Sequence, residues 1–155
     1  MTYSIRRCTK NDIDKIVNLR LKLWNDAGAF SKPKESELMY EPNFTYIKKA
    51  LNDNTMVIPV IEDDNAEIIA IGIGVILEKP PINLKNNGKE GYIFNMHTLE
   101  KYRGKGLGKL ILDDILDFFG TQSVFKVTLN ANQEAATFYT RSGFAGNPQY
   151  MELRM

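Results

Sequence analysis

Residues 100–109 read Glu100-Lys101-Tyr102-Arg103-Gly104-Lys105-Gly106-Leu107-Gly108-Lys109, a basic and glycine-rich segment between a predicted strand and a predicted helix. Four cations against one carboxylate give the segment a net charge of +3. Glycines at alternate positions let backbone N–H groups turn toward a ligand without interference from Cβ atoms. The N-terminus of the helix that follows adds about half a positive charge. This segment, the glycine loop, therefore predicts a site for a phosphate or pyrophosphate.

The spacing of the glycine loop does not fit two common phosphate sites. A P-loop requires Ser or Thr after its lysine, and Leu110 stands there without a hydroxyl for magnesium. A dinucleotide fingerprint requires Gly-x-Gly-x-x-Gly and an acid about 20 residues on, where this chain has Phe125 or its neighbours. The pattern that fits is Arg/Gln-x-x-Gly-x-Gly/Ala, which Arg103, Gly106 and Gly108 satisfy.

The composition of the chain limits the chemistry it can perform. Of its 155 residues, 43% are hydrophobic and 25% charged, as in an ordinary folded domain. A net charge of +1 provides no general field for holding nucleic acid or an anionic membrane. A single cysteine, Cys8, excludes an intrachain disulfide, and together with the single His97 it leaves too few ligands for a Cys/His zinc site. Any catalysis therefore rests on tyrosine, carboxylates, backbone amides or a bound cofactor.

Hydrophobic periodicity predicts the first elements of the chain. Residues 3–7 are typical of an edge strand. Thr9 and Asp12 resemble a capping box, which begins a helix that ends near Gly28. One helical stripe is assigned to the core and consists of Ile13, Ile16, Val17, Leu21 and Trp24.

The middle of the chain combines an irregular stretch with a hairpin. Residues 29–42 follow no clear period, and Pro33 and Pro42 interrupt them. A second helix is predicted from Phe44, Ile47 and Leu51. Residues 55–61 and 67–77 are rich in Ile and Val and flank a polar turn, so they predict two paired strands.

Two glycines interrupt the second hairpin strand. Gly72 and Gly74 indicate a bulge or a close approach by something packed on the sheet. A loop rich in proline and asparagine follows, and residues 92–98 then predict a central strand.

Beyond the glycine loop the pattern is helix, strand, helix, strand. The first helix is strongly amphipathic and turns Leu107, Ile111, Ile115 and Phe118 inward. Residues 124–129 predict a strand, residues 132–142 a helix closed by Gly143, and residues 150–155 a last strand. No linker or repeat divides the chain, so we expect one domain over residues 1–155. Residues 1–8 lack an apolar signal core and the longest apolar run is too short to span a bilayer, so we expect a cytoplasmic protein.

A second block of residues lies in the last predicted helix. It reads Asn-x-x-Ala-x-x-x-Tyr-x-x-x-Gly-Phe, with the marked positions at Asn132, Ala135, Tyr139, Gly143 and Phe144. Together with the glycine loop, and in the same order, it resembles the acetyl-CoA-binding signature of GNAT-type N-acetyltransferases.

The resemblance implies an α/β (α+β) fold, a three-layer α-β-α domain whose mixed, mainly antiparallel sheet splays into a V. Acetyl-CoA would lie in that V as co-substrate, without a metal. The glycine loop would wrap its pyrophosphate, and the backbone of the strand would bind its pantetheine arm. The residues implied in binding it are Met96, His97, Thr98, Arg103, Gly104, Lys105, Gly106, Leu107, Gly108, Lys109, Asn132 and Tyr139.

The implied activity is direct transfer of the acetyl group to a primary amine of a small molecule or peptide. Tyr139 would donate a proton to the departing thiolate. Some relatives carry a glutamate base four residues before the strand tripeptide, where this chain has Tyr92, so Glu90, His97 or a chain of waters remain open as the base. The acceptor would be contacted by residues 26–51 and 80–89, and a homodimer is consistent with the family.

Two other functions remain open at this point. One is a non-catalytic acyl-CoA-binding module that senses the cofactor and docks on a partner. The other is a phosphate-binding regulatory domain that contacts nucleic acid through Arg103, Lys105 and Lys109. The even charge balance of the chain argues against a nucleic acid or a membrane as partner.

Overall fold

The computed structural model describes residues 3–32 and 34–155, so the interruption predicted at Pro33 lies outside the described residues. Its strands are β1 (Ile5–Arg7), β2 (Met56–Val57), β3 (Pro59–Glu62), β4 (Ile68–Glu78), β5 (Lys89–Thr98) and β6 (Lys126–Leu129). Its α-helices are α1 (Ile13–Asp26), α2 (Glu35–Leu38), α3 (Tyr40–Asn52), α4 (Leu107–Thr121) and α5 (Gln133–Arg141). None of the described helices is both long enough and apolar enough to cross a membrane.

The strands form a mixed sheet between two layers of helix. Their order is β1-β3-β4-β5-β6, with β2 also paired to β4, and every pairing is antiparallel except that of β5 with β6. Helices α1 and α3 pack on one face of the sheet, and α4 and α5 pack on the other. This confirms the expected three-layer, mainly antiparallel fold.

Helix α1 begins and ends as its sequence predicts. Thr9 and Asp12 form the capping box, and Gly28 follows the helix with φ of +73°. The stripe Ile13, Ile16, Val17 and Leu21 is buried. Trp24 was assigned to the same core, and that assignment was wrong, because its ring is only half-buried and lies against the guanidinium of Arg20 at the wall of a cavity.

The stretch before α3 is more helical than the sequence indicates. It contains the short helix α2, and α3 already begins at Tyr40, so Pro42 does not interrupt the chain as predicted. Pro42 lies in the first turn of α3, where a backbone N–H has no partner within the helix and its absence costs nothing. The predicted helical residue Ile47 is buried against α1.

The predicted hairpin is present with a break in its first strand. Ile58 separates β2 from β3, and both short strands pair with β4. The close approach predicted at Gly72 is confirmed, because a Cβ there would stand 2.5 Å from Cγ2 of Ile111 on α4. At Gly74 a Cβ would stand 2.6 Å from Cγ2 of Ile115. These glycines let α4 lie directly on the sheet.

Strand β5 contains a bulge, and it separates from β6 toward its C-terminal end. Ile71 pairs with His97 and Ile73 with Phe94, so Gly72 alone lies opposite two residues of β5. One of these, Asn95, has φ of +52°, in the left-handed region. Strand β6 pairs with residues 90–93 of β5 and no further, so the two strands diverge beyond that point. The predicted V is therefore present.

The last predicted strand is wrong. Residues 150–155 carry no strand pairing, and their apolar side chains are exposed, with Leu153 at 84%. A strand needs a neighbouring strand for its backbone hydrogen bonds, and none of the described strands pairs with this segment.

Candidate active site

The glycine loop forms the N-terminus of α4. Gly104 and Gly106 have φ of +75° and +78°, and Gly106 is the N-cap residue of α4. A Cβ at either position would meet nothing within 4 Å, so glycine is required there by the backbone conformation and not by space. No side chain caps α4, and its first turn contains no acid. The loop therefore offers backbone N–H groups and the positive end of a helix dipole to an anion.

The side chains of the loop divide between core and surface. Leu107 is buried, so only its backbone can face a ligand. The Nε atom of Arg103 donates to the Thr98 carbonyl at 3.1 Å, and the Lys105 ammonium bonds to the Tyr3 hydroxyl at 3.3 Å. In the described part of the chain neither of these cations is paired with a carboxylate, whereas Lys109 forms an ion pair with Asp113. Arg103 and Lys105 thus retain charge for an anionic ligand.

The divergence of β5 from β6 leaves one edge of β5 open. The Leu99 N–H donates to the Ile69 carbonyl on β4 at 2.9 Å. Because N–H directions alternate along a strand, that of Thr98 turns to the opposite, open edge. The Met96 side chain packs with the α4 and α5 cluster. The backbone predicted to bind the pantetheine arm is therefore accessible from the V.

The two sequence blocks meet at the start of α4. A Cβ added to Gly108 would stand 3.7 Å from the Phe138 ring of α5 and 4.0 Å from Oγ1 of Thr98 on β5. Asn132 caps α5, its Oδ1 accepting the Ala135 N–H at 2.8 Å. The structure therefore brings together the glycine loop, the open edge of β5 and α5.

Tyr139 lies in an aromatic cluster on α5. Its ring is 8% exposed and makes edge contacts with Phe138 and Phe144, at centroid distances of 5.0 and 5.8 Å. Burial raises the pKa of the Tyr139 hydroxyl above its ordinary value. The phenol is therefore protonated at neutral pH and able to donate a proton.

Three other titratable groups differ in their capacity to accept a proton. Glu90 bridges Lys126 at 2.8 Å and Lys79 at 2.7 Å, and these two ammonium groups lower its pKa. Cys8 is buried, which raises the pKa of its thiol to about 12. Burial chiefly lowers the pKa of His97 below the ordinary 6.5, so its imidazole is neutral at pH 7. Of these three groups, His97 is the best suited to accept a proton at neutral pH.

A cavity of about 400 Å³ lies on the α1 side of β5, and sequence reasoning missed it. Its walls include Arg20, Trp24, Tyr46, Tyr92, Phe94 and Asn95. Asn95 carried a usable signal, because asparagine is unfavourable inside a strand and tolerates the left-handed conformation that it adopts at the bulge. Within residues 3–32 and 34–155 no group of three His, Cys, Asp or Glu side chains is arranged to hold a metal ion.

Comparison with known proteins gives matches over most of the chain. Residues 15–144 match the model of the acetyltransferase (GNAT) family. A glucosamine 6-phosphate N-acetyltransferase of Arabidopsis thaliana is 31% identical over 106 residues, which cover 68% of each chain.

Two solved structures share the fold across almost the whole chain. A predicted acetyltransferase of Clostridium acetobutylicum, solved with acetyl-CoA, is similar with a TM-score of 0.86 and 25% identity, covering 99% of this chain and 96% of its own. The glucosamine-6-phosphate N-acetyltransferase of Arabidopsis thaliana has a TM-score of 0.73 and 26% identity, covering 99% of both chains.

Proposed function

The chain belongs to the acetyltransferase (GNAT) family, and from this premise we propose that it transfers the acetyl group of acetyl-CoA to a primary amine. One observation carries the proposal. The uncapped N-terminus of α4, with Gly106 at φ of +78°, lies beside the open edge of β5, and Thr98 and Phe138 both approach Gly108. A pyrophosphate and an extended thioester arm need these two features next to each other. Residues 1–155 would act as one N-acetyltransferase domain.

The proposed cofactor contacts follow from that arrangement. The glycine loop would bind the pyrophosphate through its backbone N–H groups and through Arg103 and Lys105, whose charges have no carboxylate partner in the described chain. The full set for acetyl-CoA is Met96, His97, Thr98, Arg103, Gly104, Lys105, Gly106, Leu107, Gly108, Lys109, Asn132 and Tyr139. When bound, acetyl-CoA supplies an acetyl group on a thiol leaving group, so the chain needs no nucleophile of its own.

The protein groups then have three tasks in the transfer. A primary alkylamine is an ammonium ion at neutral pH, so it would first lose one proton to solvent. The neutral amine would then attack the thioester carbon, so that a C–N bond forms and the C–S bond breaks. The N–H groups at the open edge of β5 would stabilise the charge that develops on the carbonyl oxygen. Tyr139 would donate its proton to the departing sulfur, and the second proton, from the amine nitrogen, must pass to a base.

We assign that base to His97, directly or through water. Its imidazole is neutral at pH 7 because burial lowers its pKa, with the charges of Arg103 and Lys22 adding to the effect. Side chains alternate along a strand and Met96 packs with α4 and α5, so His97 faces the other side of the sheet, which carries α1. Glu90 is held by two lysines and is less suited.

The test combines binding with turnover. Calorimetry should detect saturable binding of acetyl-CoA, and a screen of primary amines should show thiol release that depends on the amine. Glucosamine 6-phosphate belongs in that screen because a relative is named for it. Absence of acetyl-CoA binding would overturn the proposal, and binding without thiol release for any amine would favour an acyl-CoA-binding module.

A further inference from the structure

The cavity beside β5 combines aromatic walls with two polar side chains. Arg20 and Trp24 come from α1, Tyr46 from α3, and Tyr92, Phe94 and Asn95 from β5. Asn95 immediately precedes Met96, whose backbone belongs to the open edge proposed to bind the thioester arm. The cavity therefore adjoins the strand that is proposed to bind the thioester arm.

Arg20 is placed in this cavity without an anionic partner. Its Cζ lies 3.9 Å from the Trp24 ring centroid and 5.0 Å from that of Phe94. Its Nε donates to Oδ1 of Asn43 at 2.8 Å, but its Nη1 is buried and donates no hydrogen bond to any of the described residues. Burial lowers the pKa of this guanidinium to about 10, and no carboxylate of the described chain forms an ion pair with it. A desolvated cation with an unused donor favours an anion.

Asn95 provides a second unused polar atom. Its Oδ1 is buried and accepts no hydrogen bond from the described chain. The bulge in β5, where Asn95 has φ of +52°, holds the residue at the cavity wall. This oxygen can accept an N–H or O–H of a ligand, and a donor bound there would lie beside Met96.

We infer that the acceptor is an amine that also carries an anionic group, a phosphate or a carboxylate, which pairs with Arg20 while a donor of the acceptor bonds to Asn95 Oδ1. The inference rests on the proposed acetyl transfer and narrows its substrate class. An amine without an anionic group would leave the Arg20 Nη1 donor unpaired in the filled cavity. An anionic oxygen on the acceptor would form a charge-assisted hydrogen bond with that donor.

The anion site can be tested apart from catalysis. Trp24 is the only tryptophan of the chain and touches Arg20, so its fluorescence reports on that guanidinium. Titration with inorganic phosphate and with acetate, at ionic strength held constant with chloride, should give a saturable change for at least one of them. Arg20→Gln should weaken that binding by about ten-fold or more. Arg20→Lys should retain part of it.

A control variant that removes a positive charge outside the cavity distinguishes loss of the anion site from a general loss of positive charge. Lys48→Gln removes an exposed cation from α3, outside the cavity, and should leave the titration unchanged. No saturable change in the unmodified protein, or the same binding constant in Arg20→Gln, would overturn the inference. Circular dichroism of each variant confirms that it is folded.

Turnover distinguishes the two anions and separates the two proposals. Glucosamine 6-phosphate is compared with glucosamine, and γ-aminobutyrate with butylamine. The anionic member of at least one pair should have a kcat/KM about ten-fold higher or more, and Arg20→Gln should abolish that preference. The pair in which the anionic member reacts faster shows whether the bound anion is a phosphate or a carboxylate.

Equal kcat/KM values within both pairs would overturn the inference, while the proposal of acetyl transfer would stand. No thiol release from any amine would overturn the transfer, and the fluorescence titration would still decide the anion site.

Discussion

Gly72 of β4 lies so close to Met96 of β5 that a Cβ at position 72 would stand 2.5 Å from the Met96 sulfur. The same Cβ would stand 2.5 Å from Cγ2 of Ile111 on α4. Position 72 is also where the register between the two strands shifts. The missing side chain of Gly72 therefore allows the bulge, the helix α4 and the Met96 side chain to pack together beneath the open edge of β5.

Gly72→Ala should destabilise the fold. The added methyl group meets side chains that are already packed, and overpacking of this kind costs about 1–3 kcal/mol. Chemical denaturation should show a free energy of unfolding lower by that amount. Gly120→Ala on α4 is the matched control, since its Cβ meets nothing within 4 Å. The free energy of unfolding of that control should be unchanged or higher by up to about 1 kcal/mol. Equal stability of the two variants would contradict the packing described at Gly72.

Gly106→Ala should weaken acetyl-CoA binding. Alanine at φ of +78° is strained by about 1–2 kcal/mol, and relief of the strain turns the N–H groups away from the proposed pyrophosphate. Calorimetry should give a Kd for acetyl-CoA about ten-fold higher. Gly28→Ala is the control, because it introduces similar strain at φ of +73° at the end of α1. This variant should bind acetyl-CoA with the Kd of the unmodified protein. Equal affinities in the two variants would place the pyrophosphate elsewhere.

Tyr139→Phe should lower turnover and spare cofactor affinity. The ring keeps its contacts with Phe138 and Phe144, so only the proton donor is lost. Loss of a general acid lowers kcat by about 100-fold or more. Thiol-release kinetics and calorimetry measure the two effects. Tyr150→Phe, at a residue 67% exposed, is the control and should change neither. An unchanged kcat in Tyr139→Phe would limit Tyr139 to packing.

The pH dependence of kcat/KM should show whether His97 acts as the base. The base acts in its neutral form, so kcat/KM should fall as the pH is lowered through the pKa of His97, which lies below 6.5. Above that pKa the imidazole stays neutral, and any further rise in kcat/KM follows deprotonation of the acceptor amine, whose pKa is about 10. His97→Gln should lower kcat and remove the fall at low pH. The same fall in His97→Gln would assign the proton to another group or to water.

Much of this molecule could be predicted from local patterns. The capping box at Thr9 and the inward face of α4 are each formed by residues close in sequence, and the structure contains both. Gly104 and Gly106 adopt positive φ, which a single glycine tolerates, whereas Gly108 lies within α4. The order of the two sequence blocks was enough to indicate the fold and the family.

The features that were missed depend on distant partners. Trp24 has the helical spacing of a core residue, but its ring lies at the wall of a cavity that α1 shares with Tyr46 of α3 and Phe94 of β5. Residues 150–155 have the composition of a strand, yet strand formation requires a pairing partner. The bulge at Asn95 depends on Gly72, on another strand. The cavity is lined by α1, α3, β5 and, through Val75 and Leu77, β4, so it could not be predicted from any single segment.

The most direct measurement follows the acetyl group itself. The protein is incubated with acetyl-CoA labelled with carbon-13 in its acetyl group and with a panel of primary amines, and the products are identified by mass spectrometry. We expect the label to appear as an amide on at least one amine, with an equal amount of free CoA. If acetyl-CoA binds but the label stays in the thioester with every amine, that result would contradict acetyl transfer as the function of this chain.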